Sequence, residues 1–169
     1  MNSTRTLVMN PKQVTQRLNR LSWQVYEHCY DEKEIVIAGI AGNGFRLATR
    51  IARLLGEISP LEVRLCEVRI NKENPLGEKA TLPLDSSELE GKTVVVVDDV
   101  SNSGRTLMYG VKLFLESPVK SVLTCVLVDR DHNRFPVKTN FVGLSLATTM
   151  QEHITVEAGE NGEDVVYLD

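Results

Sequence analysis

The sequence has little of what marks secreted, membrane-embedded or zinc-binding proteins. Cysteine occurs 3 times among 169 residues, and aromatic residues make up 5%. Cys29, Cys66 and Cys125 are few, odd in number and set in apolar or periodic segments, which favours reduced buried thiols over disulfides or a zinc site. No apolar stretch approaches the ~20 residues of a membrane helix, and residues 1–10 lack the apolar core of a signal peptide. We therefore expect a cytoplasmic protein with no membrane partner.

The sequence also has no excess of basic over acidic residues, and it lacks the common nucleotide-binding motifs. The formal net charge of -4 gives no general attraction for a polyanion, so nucleic-acid binding would need a local basic patch. The glycine-rich stretch from Gly39 to Ala48 fits neither the Gly-x-Gly-x-x-Gly of dinucleotide-binding proteins nor the Gly-x-x-x-x-Gly-Lys-Ser/Thr of nucleoside triphosphatases. Neither of these two classes is supported.

What the sequence does contain is a regular alternation of helix and strand patterns. Apolar spacing predicts helices over 11–30, over 45–55 with a stop at Gly56, and over 106–116, and strands over 34–40, 61–70, 94–97 and 121–129. A hairpin with an acidic tip is predicted over about 153–169. This order predicts one α/β domain over residues 1–169, with a central parallel sheet flanked by helices and a small hood or lid region.

The segment from Val94 to Thr106 carries the strongest functional signal. Its first four residues are valines, which suit a strand buried on both faces of a parallel sheet. Asp98 and Asp99 follow, and then a polar turn leads into a helix. In open parallel sheets, ligands bind beyond the carboxyl ends of the strands, where the start of the next helix favours an anion. The segment therefore predicts a ligand site at the end of this strand.

The turn and the two acids suit different parts of one ligand. Six consecutive residues of the turn suit a phosphate. Gly104 lets the backbone approach it closely, Arg105 adds positive charge, and four others can cap the helix and donate: Ser101, Asn102, Ser103 and Thr106. Asp98 and Asp99 cannot bind that phosphate, but carboxylates accept hydrogen bonds from vicinal hydroxyls and ligate divalent cations. A phosphate, a diol and a metal on one small molecule describe a phosphorylated ribose. The alternative is a buried strand before a capped helix, with the acids merely solvated.

This segment resembles the signature of the type I phosphoribosyltransferases. The family pattern is an apolar strand, two acids, a short loop and Thr/Ser-Gly-x-Thr, here Ser103 to Thr106, and Ser101 stands where an aliphatic residue is usual. The resemblance implies transfer of ribose 5-phosphate from phosphoribosyl pyrophosphate to a nucleobase. Asp98 and Asp99 would be the catalytic pair and would hold Mg²⁺ indirectly, together with the substrate, while the turn would hold the 5'-phosphate.

The same resemblance assigns roles to two further loops. In the family, a loop after an earlier strand holds pyrophosphate through backbone amides, and four residues take that place: Ala41, Gly42, Asn43 and Gly44. Related enzymes usually carry a basic or hydroxyl side chain there, and Arg46 is the candidate to replace it. A mobile hood would lie over about 69–83, where three basic residues could reach the departing pyrophosphate: Arg69, Lys72 and Lys79. A solvated loop is the alternative for this polar segment.

A second block narrows the resemblance to the PyrR-type proteins, which combine pyrimidine operon attenuation with uracil phosphoribosyltransferase activity. The similar residues are Val128-Asp129-Arg130, His132, Pro136 and Phe141-Val142-Gly143. In these proteins the base lies against this segment and is read largely by main-chain groups. The resemblance therefore makes Val128, Asp129 and Arg130 the base-binding candidates, with uracil as the expected base. It also implies a homo-oligomer, as a dimer or larger assembly.

RNA binding is the rival function, and the sequence disfavours it. Four residues could contact RNA phosphates: His28, His132, Arg134 and Lys138. However, Asn133, Leu144 and Met150 stand where PyrR-type proteins tend to have arginine or lysine. Phosphate contacts dominate RNA affinity, so losing several of them on a negatively charged protein argues against tight binding. A third possibility is a nucleotide binder with weak turnover, because the loop 41–43 offers no basic side chain.

Overall fold

A computed structural model describes residues 5–159, 161 and 163–169. In this part of the chain the strands are β1 (Thr6–Met9), β2 (Glu34–Ile40), β3 (Glu62–Val68), β4 (Thr93–Ser101), β5 (Ser121–Asp129), β6 (Phe141–Ser145), β7 (Ile154–Ala158) and β8 (Asp164–Leu168). The helices are α1 (Pro11–His28), α2 (Asn43–Ile58), α3 (Ser86–Leu89) and α4 (Arg105–Leu115).

Five of the strands form one parallel sheet in the order β3-β2-β4-β5-β6. Each strand alternates its side chains between the two faces, so the valines of β4 enter both cores: Val95 and Val97 pack on one face with α1 and α2, and Val94 and Val96 pack on the other with α4. The predicted α/β fold with a central parallel sheet flanked by helices is confirmed.

The sheet has a switch point between β2 and β4. From β2 the chain crosses through α2 to β3 on one side, and from β4 it crosses through α4 to β5 on the other side. The two loops after β2 and β4 therefore diverge and leave a crevice between them, which is where open α/β sheets bind their ligands. Both loops that the sequence singled out lie at this point.

The two ends of the chain form a second, smaller sheet in the order β1-β8-β7. All of its pairings are antiparallel, and β7 and β8 lie within the segment for which a hairpin is predicted. Ile154 at the start of β7 reaches the crevice beside the end of β4. The small sheet therefore lies at the carboxyl edge of the large one.

Helix α2 does not stop at Gly56 but continues to Ile58. A β-carbon on Gly56 would meet nothing within 4 Å, so the glycine has no packing role there and costs only about 1 kcal/mol of helix propensity. The helix ends at Ser59, which is extended at φ -140 and ψ 159, because the residue before a proline, here Pro60, is driven out of the helical region. The predicted glycine stop is wrong, and the proline is the effective signal.

Two other features concern membranes and cysteines. Across the described ranges, no helix combines the length and apolar character needed to cross a membrane. Cys29, Cys66 and Cys125 are all free and buried, and burial raises the pKa of the Cys66 thiol to about 11. The prediction that the three cysteines are buried is confirmed.

Candidate functional site

The two acids lie at the carboxyl end of β4, but the strand runs past them to Ser101. Asp98 is in parallel register with Val126 of β5 and is only 2% exposed, while the side chain of Asp99 is 15% exposed. Because Asp98 is buried among neighbouring strands, the alternative in which both acids are merely solvated is wrong. A buried carboxyl group is stable only when its charge is paired and hydrogen-bonded or when it is protonated.

Burial and the charge of Asp99 shift the pKa of Asp98 in one direction, and the charge of Lys72 shifts it in the other. Desolvation, the largest effect, and the neighbouring charge of Asp99 raise the pKa of Asp98 to about 7, although Lys72 opposes them. The Lys72 ammonium lies 3.2 Å from Asp98 Oδ1 and 3.9 Å from Asp99 Oδ1. Two adjacent carboxylates in a poorly solvated site favour a cation between them, and Lys72 supplies that cation from the predicted hood segment.

We expect this raised pKa to make stability depend on pH. Between the ordinary value of 3.8 and about 7, the folded protein keeps a proton on Asp98 that the unfolded chain releases. The resulting contribution to the free energy of unfolding is fully present below about 3.8 and is lost as the pH rises through about 7. The Asp98→Asn side chain cannot ionise. The difference in melting temperature between this variant and the wild type should therefore shift in favour of the variant by at least about 4 °C from pH 4.5 to pH 8.

Thermal denaturation followed by circular dichroism measures this difference, and the exposed Asp31→Asn is the control. A difference that stays constant with pH would contradict the assignment.

The helices on either side of the crevice begin without side-chain caps. Gly42 precedes α2 at φ 92 and Gly104 precedes α4 at φ 82, and in the described part of the chain neither has a side-chain cap hydrogen bond. By contrast, α1 begins with a capping box formed by Asn10 and Gln13. Backbone N–H groups at an uncapped helix start are available to an anion. The N-cap residue of α4 is Gly104, and of the four side chains predicted to cap this helix Ser103 bonds its start in the described structure, where Ser103 Oγ accepts from Arg105 N at 3.3 Å.

The turn after β4 lines a cavity of about 520 Å³. The cavity brings together most of the predicted residues, namely Lys72, Asp98, Asp99, Ser101, Asn102, Ser103, Gly104, Arg105 and Thr106. The Ser101 hydroxyl is buried and, among the residues that the structure describes, has no hydrogen-bond partner. Ser101 is the last residue of β4 and lines the cavity.

Arg105 connects the turn to the hood segment. Its guanidinium donates to the backbone oxygens of Lys72 at 2.7 Å and Glu73 at 3.3 Å. The sequence assigned Arg105 to the phosphate, whereas in this structure its side chain holds the segment that carries Lys72. The hydrogen bonds from Arg105 and the ion pair of Lys72 together hold this part of the hood segment beside the two acids.

Five residues of the cavity wall were not predicted as site residues: Val100 and Leu107 within the segment after the valines, and Arg134, Phe135 and Ile154 far from it in the chain. The backbone N–H groups of Arg134 and Phe135 donate to Ser103 O at 2.8 and 3.0 Å, which fixes this segment beside the turn. Arg134 was named only as an RNA contact. An arginine next to an aromatic residue after a buried strand is the signal that could have drawn attention to it.

The base-binding candidates lie at the carboxyl end of β5 and do not line this cavity. Val128 is fully buried, and the Asp129 carboxylate accepts from Asp131 N at 2.9 Å and from Thr139 Oγ1 at 2.7 Å. The side chains of Val128 and Asp129 are thus directed into the protein. The main chain is bonded as well, since Asp129 O accepts from Leu146 N at 2.9 Å and Arg130 N donates to Ser101 O at 3.0 Å, so main-chain readout of a base stays a prediction.

Arg130 ties the end of β5 to the segment before β7. Its guanidinium donates to Thr148 Oγ1, Asn102 Oδ1, Thr149 O and Glu152 O at 2.6–3.1 Å, and the residue is 6% exposed. It therefore braces both the turn after β4 and the segment before β7.

Arg130→Lys should lower the free energy of unfolding by about 2–4 kcal/mol, because an ammonium cannot reproduce the planar fork and leaves buried acceptors unpaired. Chemical denaturation measures the change, with the exposed Arg53→Lys as the matched control. Equal stability of the two variants would show that the Arg130 hydrogen bonds do not brace the site.

The predicted pyrophosphate loop and two hood residues lie apart from the main cavity. Gly42 and Asn43 line a neighbouring cavity of about 910 Å³, although a β-carbon on Gly44 would lie 3.0 Å from Asp98 Oδ1. Arg69 forms an ion pair with Glu67, and Lys79 lies beside α4. Lys72 is thus the one hood candidate that contacts the acids in the described structure.

The acid pair fits a divalent cation only as part of a larger ligand set. In the ranges that the structure describes, no three His, Cys, Asp or Glu side chains cluster as a metal site. Mg²⁺ typically takes one or two carboxylates and completes its coordination with water and substrate phosphates. Asp98 and Asp99 match that arrangement, with the remaining ligands left to the substrate.

Comparison with known proteins identifies the family. Residues 8–159 match the phosphoribosyl transferase domain, and the chain belongs to this family of type I phosphoribosyltransferases. Its relatives include proteins named bifunctional protein PyrR: one from Citrifermentans bemidjiense is 32% identical over 170 residues, which is 95% of this chain and 96% of that protein. Another, from Geobacter sp. strain M21, is 33% identical over 158 residues and covers 89% of each chain. The resemblance predicted from the two sequence blocks is confirmed.

Solved structures show the same fold at lower identity. The hypoxanthine phosphoribosyltransferase of Trypanosoma cruzi superimposes with a TM-score of 0.75 at 16% identity, covering 96% of this chain and 95% of that one. At this identity the likeness concerns the fold alone. The protein described here is a phosphoribosyltransferase, and its nucleobase is a separate question.

Proposed function

We propose that this protein transfers ribose 5-phosphate from phosphoribosyl pyrophosphate to uracil, giving UMP and pyrophosphate. One observation carries the proposal: the buried Asp98 and the partly exposed Asp99 line the same cavity of about 520 Å³ as the start of α4, whose N-cap residue is Gly104. The cavity therefore offers carboxylates for ribose hydroxyls and backbone N–H groups for a phosphate at the same time.

In the proposed reaction, the bond between the anomeric carbon and the pyrophosphate oxygen breaks and a bond to a uracil nitrogen forms. The nitrogen loses its proton to solvent. The ribose ring gains positive charge as the leaving group departs, so positioning and charge stabilisation account for most of the rate. Asp98 and Asp99 hold the ribose hydroxyls and stabilise that charge. The backbone from Ser101 to Thr106, with the hydroxyls of Ser103 and Thr106, holds the 5'-phosphate.

The leaving pyrophosphate is proposed to lie between the loop 41–44 and the hood segment 69–83. When bound with the substrate through Asp98 and Asp99, Mg²⁺ would neutralise the pyrophosphate charge. The Lys72 ammonium already occupies the place beside the two acids that a cation takes. Lys72 can therefore move from the acids to the pyrophosphate when the substrate arrives, with Arg69 as the second basic group of the hood.

Uracil is proposed because the segment 128–143 resembles the PyrR-type proteins, in which the base lies against this segment and is read largely by main-chain groups. Val128, Asp129 and Arg130 are the base-binding candidates. Three buried free thiols are consistent with action in the cytoplasm, and the same resemblance supports a homo-oligomer.

RNA binding is left out of the proposed function because basic side chains typical of PyrR-type proteins are missing, and because two of the four candidate residues have contacts within the protein. His132 Nε2 lies 2.7 Å from Thr148 O, and the His28 ring packs edge-on against Phe141 with 5.8 Å between centroids. Arg134 lines the cavity. A gel shift with pyrimidine-leader RNA at low salt should therefore show no specific complex.

A panel of nucleobases tests the proposed base. Pyrophosphate release from phosphoribosyl pyrophosphate and Mg²⁺ should occur with uracil and stay at background with hypoxanthine, guanine, adenine, xanthine and orotate. Pyrophosphate release with a purine and not with uracil would show that the purine is the substrate. Binding of nucleotides without release for any base would indicate a nucleotide binder that has lost its chemistry.

A further inference from the structure

The side chain of Asn43 makes a contact that the backbone role of its loop does not explain. Asn43 is the first residue of α2, and its Nδ2 donates to Asp99 Oδ2 at 2.9 Å and to Val156 O at 2.9 Å. Its Oδ1 accepts from Arg46 Nη1 at 2.8 Å. The Asp99 carboxylate and the Val156 carbonyl can only accept hydrogen bonds, so the nitrogen of the Asn43 amide must face them and the oxygen must face Arg46.

Arg46 is in turn held by a fully buried carboxylate. Asp164, the first residue of β8, is 0% exposed. Its Oδ1 accepts from Arg46 Nε at 2.9 Å and Nη2 at 2.6 Å, and its Oδ2 accepts from Arg50 Nη1 at 2.5 Å. A buried carboxylate is stable only when it is paired, and two guanidiniums from α2 pair it here.

These bonds form one continuous series from the C-terminal hairpin to the acid pair. They run from Asp164 to Arg46, from Arg46 to Asn43, and from Asn43 to Asp99. Every link involves a charged group or a fully bonded amide, and such networks hold a single geometry better than isolated hydrogen bonds do. Asp99 also accepts from its neighbour Val100 N at 2.9 Å and lies 3.9 Å from the Lys72 ammonium, while Asn43 donates a hydrogen bond to it from outside its own strand.

We propose that Asn43 is a positioning residue that orients the Asp99 carboxylate, and that Asp164 acts through Arg46 to hold Asn43 in place. The small sheet made by the chain ends then sets the geometry of the catalytic pair. This inference rests on the proposed function, because it deepens the role of Asp99 in holding the ribose. It gives the loop 41–44 a side-chain role in addition to the backbone role proposed for pyrophosphate.

A double-mutant cycle between Asn43→Ala and Asp99→Asn tests the proposal. The readouts are kcat for pyrophosphate release and the Kd of phosphoribosyl pyrophosphate with Mg²⁺ measured by calorimetry. In the wild-type background, Asn43→Ala should lower kcat or weaken binding by about tenfold. In the Asp99→Asn background it should change either quantity less than about twofold, because Asn43 acts through Asp99.

Two further variants separate positioning from folding. Asn19→Ala removes an exposed helical asparagine that donates only to Thr15 O in the described structure, and it should leave kcat and Kd unchanged. Arg46→Gln removes the guanidinium from Asn43 but leaves Arg50 on Asp164, and it should give a smaller loss of about threefold with the same dependence on Asp99.

The outcomes distinguish the inference from the function on which it rests. No effect of Asn43→Ala, or an equal loss in both backgrounds, would overturn the positioning role while leaving the transferase intact. A wild type that binds phosphoribosyl pyrophosphate but releases no pyrophosphate would overturn the proposed transfer, and the binding cycle would still test the link to Asp99. A wild type that does not bind phosphoribosyl pyrophosphate would overturn both.

Discussion

Asp98→Asn combined with Asp99→Asn will lower pyrophosphate release by at least about a thousandfold and leave the fold intact. The two carboxylates supply the negative charge opposite the ribose, and removing preorganised charge from an active site typically has effects of this size. Asparagine has the same shape as aspartate, and loss of a buried charge with a raised pKa should not destabilise the protein. Steady-state release of pyrophosphate with uracil measures the loss, and circular dichroism checks the fold.

The control for this pair is Asp31→Asn, which removes one exposed acid outside the crevice. It should retain wild-type turnover. If the double variant at Asp98 and Asp99 also turned over at the wild-type rate, the acids would have no part in the chemistry. The proposed mechanism would then be wrong even though the family assignment would stand.

Gly104→Ala will raise the KM for phosphoribosyl pyrophosphate at least about tenfold, because Gly104 forms the start of the phosphate turn in a conformation that alanine resists. Its φ is 82, and a β-carbon would lie 2.7 Å from Val137 Cγ1. A residue other than glycine in this region costs about 1–3 kcal/mol, and the steric contact adds to that cost. Chemical denaturation and steady-state kinetics measure the two effects.

Gly91→Ala is the matched control, since Gly91 also has a positive φ, of 69, but its β-carbon would meet nothing within 4 Å. It should lose stability by about 1 kcal/mol and retain its KM. Equal kinetic effects of the two substitutions would mean that the Gly104 turn does not hold the phosphate.

The central features of the site were predictable because they follow from local sequence. Four valines require a strand buried on both faces, and the residues after such a strand must emerge at the edge where ligands bind. Asp98 and Asp99, the turn and the start of α4 are contiguous, so their proximity needs no knowledge of the rest of the chain. For the same reason, the cavity contains most of the residues predicted for it.

The contacts that were not predictable join residues far apart in the chain. Strand β1 pairs with β8, and no local pattern in Thr6–Met9 specifies that partner. Asn43 meets Asp99, and Arg46 meets Asp164, 118 positions away; these contacts depend on how α2 and the hairpin pack. Sequence reasoning assigned Arg105 by its charge, while its direction depends on the path of the hood segment.

The most direct test of the proposed transfer to uracil is the conversion of radiolabelled uracil to UMP by the purified protein with phosphoribosyl pyrophosphate and Mg²⁺. We expect UMP and pyrophosphate to form in equal amounts, and we expect the double variant of Asp98 and Asp99 to form neither above background. Absence of UMP with the wild-type protein, or UMP formation that persists in the double variant, would contradict the proposal.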